Sequence, residues 1–264
     1  MAIVVFFSIH YLLSIFSQTF FLHRYASHRM FTMSKVWERF FHFLTYVSQG
    51  ASYLNPRAYA LMHRLHHAYS DTERDPHSPT QFKNVMTMMV ATKKRYDGLL
   101  NRMERIDERF KGGYPEWPLI DQLSNYRWPM LMWLAFYLAM YIGFADAAWQ
   151  WLLLPIQFLM GPFHGAIVNW CGHKYGYRNF AVSDQSRNTL FFDVVCMGEL
   201  FQNNHHRYCS DPNFAKRWFE IDPCFAVIRL LAFVGIIQWN KVEVPYEAED
   251  ADGELSWGAQ SKEA

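Results

Sequence analysis

Apolar and polar residues in this chain fall into long alternating blocks. Residues 1 to 22 carry no charge, and about 20 apolar residues suffice for a membrane-crossing helix. No basic segment precedes this stretch and no small-residue cleavage motif precedes His23, which argues against a signal peptide. Residues 40 to 54, FFHFLTYVSQGASYL, are apolar but short, and stop at Asn55-Pro56, so a buried or interfacial helix is expected. Residues 63 to 127 are polar. From Trp128 to Gly172 only Asp146 is charged, which suits a hairpin of spans over about 128–145 and 147–170. Residues 173 to 222 are polar again. Residues 223 to 239 are apolar apart from Arg229, as in an amphipathic helix lying on the membrane or on the protein. An acidic tail over 241–264 is expected to be flexible.

The hairpin turn at Asp146 has no Lys or Arg, whereas its flanks are rich in both. By the positive-inside bias, 23–127 and 173–240 are cytoplasmic and Met1 lies outside. The expected fold is all-α: one integral-membrane, multi-pass helical bundle over residues 1–240, with a cytoplasmic helical cap. Composition agrees, since 51% of residues are hydrophobic and 19% charged, against about 25% charged in soluble domains. A net charge of +1 excludes bulk attraction to nucleic acid. The four cysteines form no CxxC pair, so neither a disulfide framework nor a zinc ribbon is indicated.

The candidate chemistry lies in the 12 histidines. His23 and His28 end the first span in HRYASH. His63, His66 and His67 open the first polar block in HRLHH. His173 ends NWCGH, where the hairpin returns, and His205 and His206 close QNNHH. Residues three or four apart share a helix face, so His63, His66 and His67 are expected to point together, as are Asn169 and His173, and Gln202 with His205 and His206. His23 and His28 are five apart and share a face only if the helix end loosens between them. Imidazole suits zinc, copper, iron or nickel. Eight such ligands exceed the four of a zinc site, which indicates two metals. His10, His42 and His77 lack such company and read as structural; His164, five residues before Asn169, could pack, line a tunnel or support the site.

HRYASH, HRLHH and QNNHH, with DTERDPHSP, NWCGHKYGYRNF and DQSRN between them, resemble the membrane fatty acyl desaturases, in particular the stearoyl-CoA (delta-9) type and its bacterial relatives. The resemblance runs from about residue 15 to 210. It implies a four-span membrane protein with a cytoplasmic cap, of which this chain begins at what resembles the second span. It implies two irons held by the eight box histidines, a metal-bound water contacted by Asn169, and a narrow tunnel for an acyl chain, often cut at delta-9 in the cis sense. Two departures stand out: Gln202 occupies a position that is commonly histidine, and Leu61-Met62 replaces the Arg-Asp that animal enzymes use for the coenzyme A headgroup.

The implied reaction takes an acyl thioester such as acyl-CoA, dioxygen, two electrons and two protons to an alkenyl thioester and two waters, with the metal supplying the oxidising power that side chains lack. The chain has no flavin, haem or iron–sulfur motif, so a separate donor is expected, a ferredoxin or a cytochrome with its reductase. A hydroxylase or ketolase with the same metal site is the nearest rival. A metal transporter is disfavoured, because transport sites lie near the bilayer midplane and these histidines lie at the membrane end. Lys93, Lys94 and Arg95 are candidates for a phosphate-bearing headgroup. Tyr11, twelve residues before His23 and so roughly 18 Å along a helix, and Ile15 one turn on, are candidates for the tunnel floor.

Overall fold

A computed structural model describes residues 1–239, and the acidic tail lies outside them. Helix α1 (Ala2–Ser17) runs directly into a π-helix (Gln18–Ser27), giving one continuous rod, Ala2–Ser27, long and apolar enough to cross a membrane. The rod thus continues five residues beyond residue 22, where the first span was expected to end. Its outer side is apolar: Val5, Ile9, Leu12 and Leu13 are exposed, while His10, Ser14 and Ser17 face inward. Polar contacts tie this inner side to the later apolar block. Gln157 accepts from Tyr141 Oη at 2.9 Å, and its amide nitrogen lies 3.1 Å from His10 Nδ1.

After β1 (Phe31–Met33), helix α2 (Lys35–Gln49) is capped by Ser34 and packs back along α1. Helix α3 (Pro56–Tyr69) starts at Asn55, whose side chain accepts from the Ala58 amide at 3.1 Å, with Pro56 preset at the first helical position. Helices α4 (Val85–Leu100) and α5 (Pro118–Leu123) follow in the first polar block. Helix α6 (Arg127–Phe144) is the first half of the expected hairpin.

The second half departs from expectation. Instead of one straight span over 147–170, a 3₁₀ segment and α7 (Leu153–Phe158) are followed by α8 (Met160–Gly172) after a bend of 76°. Pro155 and Pro162 each lack the N–H that continues a helical ladder, and the Gly161 amide donates instead to Ser52 Oγ at 3.1 Å. Among the described residues only Ala2–Ser27 passes as a single unbroken span by length and composition.

Helix α9 (Gln202–Arg207) carries the last histidines, and α10 (Pro223–Phe233) is capped by Asp222. The helix expected over 223–239 stops at 233. Gly235 takes φ +75°, and β2 (Ile237–Trp239) pairs antiparallel with β1, Phe31 opposite Trp239. This ladder is a small β addition to an otherwise helical chain. The main core, with Phe20, Phe21, Phe31, Phe41, Phe201 and Phe214, wedges the π-helix against α2, α9 and α10. A second core, with Leu61, Leu65, Tyr96, Leu99 and Phe110, ties α3 to α4.

Candidate metal centre

The π-helix accounts for the first histidine pair. Its bonds run from residue i to i+5, as in the His28 amide to the His23 carbonyl at 3.1 Å, so residues five apart lie on one face. His23 and His28 therefore point together, their Nε2 atoms 3.2 Å apart. His63 and His67, one turn apart on α3, and His205 on α9 complete a buried group of five. Their Nε2 atoms form a chain of contacts: His63–His28 at 2.7 Å, His23–His205 at 3.1 Å and His67–His205 at 3.0 Å.

These contacts cannot all be hydrogen bonds. A neutral imidazole nitrogen offers either one hydrogen or one lone pair, yet Nε2 of His23, His28 and His205 each meets two neighbours. A cation facing five lone pairs removes the conflict. Separations of about 3 Å also match neighbouring nitrogens set at right angles around bonds of about 2.1 Å. Burial first, and then the surrounding cationic and imidazole groups, keeps His28, His63, His67 and His205 well below the usual histidine range. Neutral imidazole is the form that ligates metal.

His66, His173 and His206 form a second group. Their rings lie 4.8–5.1 Å apart, and the Nε2 atoms are buried without partners. Each Nδ1 instead reaches a carboxylate: Asp75 at 3.0 Å, Asp71 at 3.0 Å and Asp184 at 2.7 Å. This arrangement fixes the tautomer, turns the Nε2 lone pair inward and raises its basicity. Burial opposes the ionised acids, but the histidines outweigh it. Asp75 is held at about 2, and Asp71 and Asp184 lie below the usual carboxylate range. Neighbouring side chains feed different groups: His66 and His206 enter the second, His67 and His205 the first. The expectation that His63, His66 and His67 point together is corrected accordingly. Positions i and i+4 align, but consecutive residues diverge by about 100°. The two groups touch where the His67 and His206 rings lie 4.5 Å apart.

Carboxylates are what sequence reasoning missed. Glu199 approaches His23 Nδ1 at 2.5 Å, out of line for a hydrogen bond, and also accepts from Thr19. Asp71, Asp75, Asp184 and Glu199 all sit inside the motifs DTERDPHSP, DQSRN and GELFQNNHH, so their clustering beside histidines was the available signal. His77 is buried against His66, rings 4.5 Å apart, in a third His66–Asp75–His77 group. His164 is buried near Glu199 and His23.

The remaining candidates are more dispersed. Asn169 is half-buried on α8. Gln202 is buried and belongs to neither histidine group. Its side chain lies against Gly172, where a β-carbon would come within 2.4 Å of Gln202 Cγ, and its amide donates to the Glu199 carbonyl at 2.6 Å. Lys93 and Lys94 are exposed; Lys93 pairs with Asp97, and half-buried Arg95 with Glu104 at 3.1 Å. Ile15 is buried; Tyr11 is half-buried, stacks on Phe7 and lies near Asp193 and Cys196.

Because Gln202 bridges His173's neighbour Gly172 and the loop of Glu199, Gln202→Leu is expected to weaken metal retention by roughly 10- to 100-fold, the usual effect of losing a supporting polar group at a metal site. Gln202→His should keep it. Metal content after graded chelation measures both, and normal retention in the leucine variant would place Gln202 outside the site's influence.

The sequence matches the fatty acid desaturase family over residues 1–232. It is 28% identical over 242 residues to the acyl-CoA C20 Delta5-desaturase of Anemone leveillei, covering 91% of this chain and 73% of that protein. It is 26% identical over 234 residues to Delta-9 acyl-lipid desaturase 1 of Arabidopsis thaliana, covering 86% and 70%. It is 27% identical over 221 residues to the sn-1 stearoyl-lipid 9-desaturase of Anabaena variabilis, covering 81% and 74%.

Proposed function

Because the chain belongs to the fatty acid desaturase family, a family of oxidoreductases, we propose that it inserts a cis double bond at delta-9 of a fatty acyl thioester, using dioxygen, two irons and electrons from a separate ferredoxin or cytochrome. The observation that carries this reading is the pair of touching, buried imidazole groups, one with every member backed by a carboxylate. In it His23, His28, His63, His67 and His205 hold one iron, and His66, His173 and His206 the other. Asn169 and Gln202 would support them from α8 and α9, Asn169 through a water on the metal. When bound, the irons supply with dioxygen the power to remove hydrogen from an unactivated carbon. The chain's own residues position and enclose that centre. Asp71, Asp75 and Asp184 keep the Nδ1 protons and so aim each Nε2 inward. Phe214, its ring 4.4 Å from that of His205 and 5.5 Å from that of His23, closes one side against water.

In this reading the chain is a multi-pass membrane protein with the centre on the cytoplasmic side. The acyl chain follows the face of α1 that holds Ile15 and Tyr11, and the headgroup lies towards Lys93, Lys94 and Arg95. The π-helix has more residues per turn than an α-helix, so the climb from His23 to Tyr11 is shorter than a plain α-helix gives. Gas chromatography of acyl products, with a reconstituted donor, tests the reaction: a delta-9 alkene is expected, and a hydroxylated chain would establish the hydroxylase instead. Tyr11→Ala is expected to move the product distribution towards longer chains when graded substrates compete. An unchanged distribution would remove Tyr11 from the tunnel.

A further inference from the structure

The polar block 173–222 contains six basic residues, Lys174, Arg178, Arg187, Arg207, Lys216 and Arg217, and six acidic ones, so by sequence it is neutral. The fold sorts these charges by depth. Asp193, Glu199, Glu220 and Asp222 are buried, Asp184 is turned onto His206, and Asp211 pairs with Lys216. Lys174, Arg178 and Arg217 are exposed. Arg178 donates to the carbonyls of Val182 and Asp184, and Arg187 to that of Gly176, contacts that leave their charge uncancelled. A neutral segment thus presents a basic face.

That face has a cleft in it. A cavity of about 490 Å³, lined by Asp71, His173, Lys174, Gln185 and Arg187 among others, opens just past the end of α8. At its floor the Gln185 amide donates to Asp71 at 2.7 Å, and the same carboxylate oxygen lies 3.0 Å from His173 Nδ1. The other nitrogen of that ring belongs to the second histidine group. One side chain therefore separates a solvent-facing basic cleft from the second metal position.

We propose that this cleft, with Lys174 and Arg187 in its lining, and the basic residues Arg178 and Arg217 held on the adjoining 179–184 segment, are the docking surface for a small acidic one-electron carrier protein, with His173 as the point of electron entry. The proposal rests on the desaturase reading only in requiring electrons from outside the chain. Each encounter oxidises the carrier by one electron and reduces one iron by one, and two encounters supply a turnover. Charge complementarity selects an acidic carrier, because steering by opposite charge raises association rates and wrong-sign partners are repelled.

The test is stopped-flow reduction of the ferric, iron-loaded protein by a reduced acidic [2Fe–2S] ferredoxin, with no acyl substrate present. Lys174→Glu is expected to slow the second-order reduction by about 10-fold at low salt, and raising the salt should erase most of the difference. Reduction by dithionite and iron content should not change. Arg217→Glu, farther from the histidines, is the companion variant and decides the matter if Lys174→Glu loses iron. Equal ferredoxin rates in wild type and Arg217→Glu, or no dependence on salt, would overturn the proposal. Absence of an alkene product in the separate assay would sink the desaturase reading and leave the reduction kinetics to stand by themselves.

Discussion

His205→Ala is expected to abolish turnover and to leave less than one iron in the five-histidine position. His205 is an interior link of the Nε2 chain, 3.1 Å from His23 and 3.0 Å from His67. Its removal cuts His67 off from the other three donors. The ring is also packed under Phe214, so the gap cannot be filled by a neighbour without moving the core. His66→Ala should act on the other position. There it also leaves Asp75 without the imidazole that holds it ionised, and an uncompensated buried carboxylate is costly. Iron per chain, followed by emission spectroscopy, and product formation measure both variants. Full activity with normal iron in either would remove that histidine from the centre.

The second large effect is on stability. Arg64 is buried on α3, next to His63 in the chain, and donates to four backbone carbonyls: Ser27 at 2.9 Å, Ala26 at 3.0 Å, and Phe110 and Gly112 at 2.8 Å each. The first two are at the end of the π-helix, where carbonyls lack intrahelical partners; the others pin the loop before α5. Arg64→Met keeps most of the bulk and removes all four bonds. Leaving a buried acceptor unsatisfied costs about 1–3 kcal/mol, so a loss on the order of 4 kcal/mol is expected even if some carbonyls regain water. Thermal unfolding in detergent, read by tryptophan fluorescence, should fall by many degrees, with Arg64→Lys in between. A melting temperature unchanged in Arg64→Met would show that the carbonyls are satisfied by other means.

Much of the candidate site was legible because histidine is uncommon and its spacings carry geometry. HRLHH, QNNHH and the other clusters named the eight imidazoles, and the fold brings all eight into two groups. How they divide was not legible. Sorting His66 from His67 and His205 from His206 depends on how α3 and α9 are rotated against each other, which local spacing does not record. The carboxylates were hidden for another reason: Asp71, Asp75 and Asp184 lie in polar blocks, where a charge that turns inward looks the same in sequence as one that faces water. The broken second half of the hairpin was masked by its uniform apolar character, although Pro155, Gly161 and Pro162 marked the bend. The five-residue spacing of His23 and His28 signalled a departure from α geometry without identifying its form.

That departure constrains how the lineage of this chain can change. A π-helix holds more residues per turn than an α-helix, so it is the trace left when a helix absorbs extra residues without lengthening to match. Removing one residue between His23 and His28 would leave them four apart, a spacing that keeps them on one face only if the segment returns to α geometry. Surface loops absorb gain or loss of residues by changing shape locally; here the spacing of the two histidines and the type of helix must change together. In a set of related sequences, a one-residue gap between these two histidines would therefore mark a protein whose first helix is α throughout, with the pair still aligned.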